Sequence, residues 1–435
     1  MSLPRYPKYK DSGVGWLGHV PEHWEAIRYK NVFEEKFIEA GGSLPLGSIS
    51  FGRVVFKSDD FFNEATKATY QQVLAGEFLI NPINLNYDLK SLRTAFSEIN
   101  TCVSPAYIVL NAKGARDKNY LKHHLHAFDL FHMKTLGAGV RQTIAFDDIG
   151  TCQTYLPPLP EQTHIAAFLD RETAKIDELV AEQQRLMELL KEKRQAVISN
   201  AVTKGLNPNA AMKPSGIEWF GDVPAHWKVV ALKHLVSRSI IDGPHESPEC
   251  RDEGVPFVSA ESVSKGFVDF DKIWGFISPE DHARYSKRYS PKRGDILMVK
   301  LGATTGVTAI VDTDKEFNVW VPLAAIRLQP DIEPRFVLHV LRSDNLRRAY
   351  ENTWTYGTQQ TLGLQTISNL RVPLPPKQER EEIAKYIDSI VPAFESLIAE
   401  AQRAIDLLQE RRTALISAAV TGQIDVRPLL KKEAA

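Results

Sequence analysis

Residues 161–203 read EQTHIAAFLDRETAKIDELVAEQQRLMELLKEKRQAVISNAVT, and the fold follows from this stretch. It holds no Gly and no Pro. It is rich in Glu, Lys, Gln, Leu and Ala, which lose little rotamer freedom in a helix. Ile165, Leu169, Ile176, Leu179, Leu186, Leu190 and Val197 recur at heptad spacing, the pattern of a helix with one apolar seam. Pro160 precedes the run and Gly205 follows it, as start and stop signals. A helix of this length is a rod of roughly 65 Å. It spans something, and its seam needs a partner helix.

A second copy lies 218 residues on. Residues 379–421 read EREEIAKYIDSIVPAFESLIAEAQRAIDLLQERRTALISAAVT. Ile383, Ile387, Ile390, Phe394, Leu397, Leu408 and Leu415 fall on the same seam, and AVISNAVT is answered by ALISAAVT. Pro392 is a departure, expected to kink or split the second helix. The expected pairing residues are therefore the seven of the first seam together with Ile383, Ile387, Phe394, Leu397, Leu408 and Leu415. Off the seam, Phe168, Val180, Ile198 and Ile398 are expected to stay exposed and to meet other subunits.

The duplication extends beyond the helices. Ser12-Gly13-Val14-Gly15-Trp16-Leu17-Gly18-His19-Val20-Pro21-Glu22-His23-Trp24 reappears, 203 residues later, as Ser215-Gly216-Ile217-Glu218-Trp219-Phe220-Gly221-Asp222-Val223-Pro224-Ala225-His226-Trp227. Further on the offset is 218: Gly76-Glu77-Phe78-Leu79 matches Gly294-Asp295-Ile296-Leu297, Gln142-Thr143 matches Gln360-Thr361, and Leu156-Pro157-Pro158 matches Leu374-Pro375-Pro376. The second half thus gains a net 15 residues between Trp227 and Gly294. The chain reads as globule, helix, globule, helix. Expected bounds are 1–160 for the first globule, 161–205 for the first helix, 206–377 for the second globule, 378–424 for the second helix and 425–435 for a tail. Each globule is mixed α/β. Strands are expected at 106–110, 296–301 and 324–328, and helices at 119–131 and 334–350.

Composition narrows the class. The 435 residues exceed one ordinary core. Apolar content of 43 % and charged content of 25 % are those of a globular protein. Net charge is −1, so nucleic-acid binding would need local patches. Cys102, Cys152 and Cys250 have no metal or disulfide spacing, which fits a reducing cytoplasm. No run is long and apolar enough for a membrane span, and the first residues lack a secretory pattern.

Several motifs fail on context. Gly13-Val14-Gly15-Trp16-Leu17-Gly18 fits a dinucleotide fingerprint, but Pro21 intervenes before any helix and the repeat carries Glu218 at the second glycine. A turn that lets Trp16 and Trp219 anchor each globule explains it better. Asn81-Pro82-Ile83-Asn84 lacks the aromatic residue that stacks on a flipped base. Gly302-Ala303-Thr304-Thr305-Gly306 is not followed by the lysine of a phosphate-binding loop. His123, His124, His126, Asp129 and His132 crowd together. They could hold a metal, but the repeat keeps only His339, so a solvated helix face is the better reading. No catalytic constellation recurs in both halves.

The polar loops carry more. Gly137-Ala138-Gly139-Val140-Arg141-Gln142-Thr143 aligns with Tyr356-Gly357-Thr358-Gln359-Gln360-Thr361. Arg and Gln pair bidentately with purine edges, and Thr contacts phosphate. The candidate DNA contacts are Gly139, Arg141, Gln142, Thr143, Lys300, Thr304, Thr305, Tyr356, Thr358, Gln359, Gln360 and Thr361. Lys134, Lys287, Arg288, Lys292 and Arg293 are further cations within reach of phosphates.

These features together resemble the specificity subunit of type I restriction–modification systems. The resemblance rests on the paired openings at Val20–Trp24 and Val223–Trp227, on Gly294-Asp295-Ile296-Leu297 with Gly302–Gly306, and on Leu156-Pro157-Pro158-Leu159-Pro160-Glu161-Gln162 leading into a helix. It covers nearly the whole chain. Two departures are Asn81-Pro82-Ile83-Asn84 in place of the Gly-Ala-Thr loop, and Lys377-Gln378-Glu379-Arg380 in place of Pro-Glu-Gln. The resemblance implies two target-recognition domains on long antiparallel helices, each reading one half of a split DNA site. The different letters of the two globules and the net 15-residue gain imply different half-sites and so an asymmetric target, and a stiff rod fixes the gap between them. The resemblance implies modification and restriction subunits as partners, with S-adenosylmethionine, ATP and Mg bound by those partners and none by this chain, which carries no chemistry of its own. The rival reading is a two-headed coiled-coil adaptor with no DNA specificity. Salt-dependent DNA binding separates the two.

Overall fold

Both long helices form, at Leu159–Lys204 and Lys377–Val420. The second runs unbroken through Pro392, against the expected split. A proline removes one N–H donor. Pro392 is exposed, so water can satisfy the carbonyl left without its donor. The computed structural model describes residues 4–41, 43–50, 52–58, 63–83, 92–136, 143–351, 355–356 and 360–431.

The chain divides into two units. The first comprises Met1–Gln184 with Arg403–Ala435, the second Arg185–Gln402. This differs from the expected linear order, because each long helix belongs partly to each unit.

In the first unit six strands form one sheet, in the order Phe33–Glu35, Ile108–Ala112, Phe78–Ile80, Thr94–Phe96, Arg53–Phe56 and Gly47–Ser50. Neighbours are antiparallel except for a parallel contact of Arg53 with Phe96. Phe78–Ile80 is buried throughout, so it reads as a continuous apolar run rather than an alternation. Helix Lys118–Phe131 packs across the strand Thr94–Phe96. Gln153–Leu156 pairs antiparallel with Glu25–Arg28, which returns the chain to its own opening just before the first long helix. Ile165, Ala166, Phe168 and Leu169 of that helix share one core with Ile416, Ala419 and Val420 of the second, and Asp177 accepts from Arg412 Nε at 2.9 Å. The two helices therefore run antiparallel here.

The second unit repeats the plan. Ile241–Asp242, Leu323–Ile326, Ile296–Val299 and Thr308–Ile310 form a sheet in that order. Lys228–Ala231 pairs with Arg371–Leu374. Ile198, Ala201 and Val202 share a core with Ile383, Ala384 and Ile387, and Arg194 lies 3.8 Å from Glu395. The ion pair of the first unit thus recurs with the helices exchanging roles. A separate small sheet joins Gly275–Ile277, Val255–Val258 and Asn318–Val319.

Several expectations change. The seam is buried at Ile165, Leu169, Ile176, Ile383 and Ile387, and half-buried at Leu190, Val197, Phe394, Leu408 and Leu415. Leu179, Leu186 and Leu397 are more than two-fifths exposed. Phe168 and Ile198, expected on the surface, are buried where the helices enter the cores. The expected helix over 334–350 is two helices, Pro334–Arg342 and Asp344–Glu351. The buried Ser343 breaks it: its hydroxyl donates to the Val340 carbonyl, and the Asp344 N–H is taken by Ser199 Oγ at 3.1 Å. Trp16 and Trp219 are only half-buried; the fully buried tryptophans are Trp24 and Trp227. Each meets the end of a long helix. Gly205 and Gly422 both have φ of +74°, and a Cβ on either would crowd Trp227 or Trp24. Residues 425 and 426 are not a free tail: Val426 lies in the first core, and the Asp425 N–H donates to the Pro4 carbonyl at 2.8 Å.

Candidate nucleic-acid interface

The readout candidates of the second unit come together around one lysine. Lys300 follows strand Ile296–Val299 and opens the turn toward Thr308–Ile310. Its N–H donates to the Pro322 carbonyl, and its own carbonyl accepts from Leu362 N, each at 2.8 Å. Leu301 bridges to Thr361, and Thr355–Tyr356 pairs with Gln360–Thr361 as a short hairpin. Lys300, Thr304, Thr305 and Thr361 therefore sit on two adjoining turns, with the backbone of Tyr356 and Gln360 beside them. Thr304 and Thr361 are half-buried. Thr305 is buried, and its hydroxyl donates to the Gly302 carbonyl at 2.7 Å. That side chain holds the turn. Thr358 and Gln359 lie outside the described residues.

Sequence reasoning missed the centre of this surface. Asp242, at the sheet edge, is buried, and its carboxylate gathers three donors. Arg288 Nη2 donates to Oδ1 at 2.6 Å; Lys300 Nζ and His245 Nε2 lie 3.2 and 3.0 Å from Oδ2. The Lys300 amine is therefore engaged and largely covered, whereas Arg288 is 53 % and His245 66 % exposed at the side chain. Arg288 was among the expected cations. Its partner lies 46 residues away, and no local pattern links them. Arg293 is bound up with Asp312 and Asp314, and hydrogen bonding from Arg293 holds Asp314 below the usual carboxylate range. Lys287 and Lys292 are exposed.

In the first unit Thr143 is exposed, and the next residue, Ile144, is buried with its N–H toward the Pro82 carbonyl. Gly139, Arg141 and Gln142 lie outside the described residues. Lys134 is half-buried. The histidine-rich helix is not a solvated face. His123, His124 and Asp129 are buried. His123 Nε2 lies 2.8 Å from Asp170, and Asp129 Oδ2 accepts from the N–H groups of Arg93 and Thr94 at 2.6 and 3.0 Å. Burial pushes His124 and His126 down to about 3 and raises Asp129. Among the described residues no group of three or more His, Cys, Asp or Glu is placed to hold a metal ion.

Some charged contacts recur in both units and belong to the framework. His123 with Asp170 is matched by His339 with Asp388, at 2.8 and 2.9 Å. His23 with Glu161 is matched by His226 with Glu379, both at 2.8 Å. The buried turn carboxylates Glu77 and Asp295 hold Lys36 and Arg327. The Asp242 cluster is found in the second unit alone among the described residues. No described helix is long and apolar enough to cross a membrane.

Residues 224–403 match the family model of the type I restriction modification DNA specificity domain. The chain is 23 % identical over 425 residues to the type I restriction enzyme MjaVIII specificity subunit of Methanocaldococcus jannaschii, covering 94 % of this chain and 95 % of that one. It is 27 % identical over 283 residues to the EcoBI specificity subunit of Escherichia coli, covering 62 % of this chain and 58 % of that one. The fold matches a chain from a solved structure of the type I R-M system with a TM-score of 0.66 at 16 % identity, covering 92 % of this chain and 98 % of that one. Duplicated units, long antiparallel helices, the domain match over residues 224–403 and a relative aligned along nearly its whole length converge: the chain is similar to the specificity subunits of type I restriction–modification systems, and its second half matches their DNA specificity domain.

Proposed function

We propose that this chain is the non-catalytic, DNA-reading subunit of a type I restriction–modification complex, each unit reading one half of a bipartite, asymmetric site. The observation that carries the reading is the duplication itself. Framework contacts recur in both units, while the surfaces around the readout turns differ, as with the Asp242 cluster. Two different half-sites call for that division. A single unit reading a few base pairs gains about 1–3 kcal/mol per pair. Linking two multiplies the discrimination.

The long helices serve assembly. In the second unit Leu186, Leu189 and Leu397 leave apolar surface exposed along them, which suits docking of modification subunits. A restriction subunit joins the complex. S-adenosylmethionine, ATP and Mg are bound by the partners, and none by this chain. The setting is cytoplasmic. With a net charge of −1, the chain alone has little general attraction for DNA, so partner subunits complete the grip.

The test is genome-wide mapping of methylated adenines in the host with and without this chain. A bipartite methylated motif should vanish on deletion and return on complementation. The purified chain alone should neither methylate nor cut DNA. A methylation pattern indifferent to the chain, or methyl transfer by the chain alone, overturns the reading.

A further inference from the structure

We propose that Asp242 is a positioning residue for DNA recognition: its buried carboxylate holds Arg288, Lys300 and His245 in fixed orientation beside the second unit's readout turns, so that Arg288 and His245 meet DNA already in place. The proposal rests on the DNA-reading role above and assigns residues to it.

The carboxylate cannot itself be the contact. Its side chain is 5 % exposed, and its charge has the sign of the phosphates. It acts through the groups it holds. Arg288 and Lys300 outnumber it in charge, leaving a surplus positive charge in the cluster. The division of labour follows from exposure. Lys300, 12 % exposed at the side chain, neutralises the acid from within. Arg288 and His245 present more than half of their side-chain surface to solvent while one edge stays tied to Asp242. An untethered arginine would be ordered only on binding, at a cost in conformational entropy; a tethered one has already met that cost in the folded chain. The tether leaves guanidinium N–H groups available, which can engage a guanine edge or a phosphate.

The segment carrying the acid is itself clamped. A Cβ on Gly243 would lie 2.1 Å from the Val319 carbonyl oxygen, so backbone presses on backbone there. Trp320 Nε1 donates to the Glu246 carbonyl at 3.2 Å, and Arg284 lies 2.9 Å from the Glu246 carboxylate. From the other side the Lys300 carbonyl is bonded to Leu362 N, next to Thr361. Cations, acid and both turns form one connected cluster within the second unit.

The test uses the assembled complex and a duplex carrying its mapped site, with single base-pair changes in each half. Asp242→Asn should lower discrimination about tenfold at one half-site and leave the other intact. Asp242→Glu should restore part of it. Arg288→Gln should weaken discrimination at that same half-site and reduce the slope of log affinity against log salt by about one. Arg288 and His245 are half-exposed, so Arg288→Gln and His245→Gln carry the test if Asp242→Asn does not fold. Undiminished discrimination in Asp242→Asn, or in both of those variants, overturns the proposal. An equal loss at both half-sites overturns it too, because a general structural defect moves both. If the unaltered complex shows no salt-dependent, sequence-specific binding, the DNA-reading role fails and takes this proposal with it. If the unaltered complex reads both half-sites and Asp242→Asn reads them as well, this proposal alone fails.

Discussion

His124 has no accessible surface, and its Nε2 meets the hydroxyls of Tyr29 at 3.1 Å and Thr154 at 2.8 Å. Burial holds its pKa at about 3, against roughly 6.5 in an unfolded chain. Above pH ~6.5 the ring is neutral in both states and adds no pH dependence. Between about 6.5 and 3 the unfolded chain takes up a proton that the folded chain does not, so stability falls as pH falls. From pH 7 to 5 this one ring should destabilise the first unit by about 2 kcal/mol. His126, on the same helix, shifts in the same direction from burial and the nearby Arg412. Denaturant unfolding at the two pH values checks this: His124→Gln should flatten the dependence by about that amount. A slope unchanged by the substitution rejects the assignment. The sequence showed four histidines and an aspartate within ten residues and read them as solvated. Polar letters alone do not reveal which face packs, and here the aromatic side chains of Trp16, Tyr29 and Tyr120 lie against the ring.

At the scale of elements, the heptad pattern located both long helices to within a few residues, because helix propensity and the absence of breakers are local properties. It misjudged which residues are buried. Periodicity marks the side that can face a partner, but how closely the partner approaches is set by tertiary packing, so Leu179, Leu186 and Leu397 stay exposed while Phe168 and Ile198 are enclosed by the cores. The shorter helices show a further effect of duplication. His123 and His339 make the same contact with a long helix. Three residues later the units differ, with His126 in one and Arg342 in the other. Thr94 and Thr308 open corresponding strands. In the second unit Arg342 donates to the Thr308 carbonyl at 2.8 Å and also to the Gly266 carbonyl. In the first, His126 and Thr94 line a small cavity shared with Lys122, Asp170 and Arg412. Arg342→Met keeps much of the volume but removes the donors. It should destabilise the second unit by about 1–3 kcal/mol, the cost of leaving a buried acceptor without its partner. Hydrogen exchange of the strand Thr308–Ile310, compared with Thr94–Phe96, reads the effect; equal change in both strands would count against it.

For the whole molecule, the repeat offsets disclosed two copies of one plan but not how the chain distributes itself between them. Local pattern orders the pieces along the sequence, whereas the last residues, Arg403–Ala435, complete the first unit. No short-range signal links Trp24 to Gly422 or Pro4 to Asp425, yet those contacts close the first core. The candidate turns around Lys300 stood out in the sequence as Gly- and Thr-rich segments, while Asp242, held among residues far apart in sequence, did not. A stop after Gln402 tests the exchange. It removes Ile416, Ala419, Val420, Ile424 and Val426, all buried in the first core. At about 1.5–3 kcal/mol for each larger apolar side chain, the loss is of the order of a domain's whole stability, roughly 5–15 kcal/mol. The second unit keeps Lys377–Gln402, with Ile383, Ala384 and Ile387 in its own core. The truncated chain should therefore lose hydrogen-exchange protection across the strands Phe78–Ile80 and Ile108–Ala112 and keep it across Ile296–Val299 and Leu323–Ile326. Adding residues 403–435 back as a separate peptide should restore part of the first set. Protection retained in both sheets after truncation would mean that the first core closes without the C-terminal segment, and equal loss in both would mean that the two units do not fold separately.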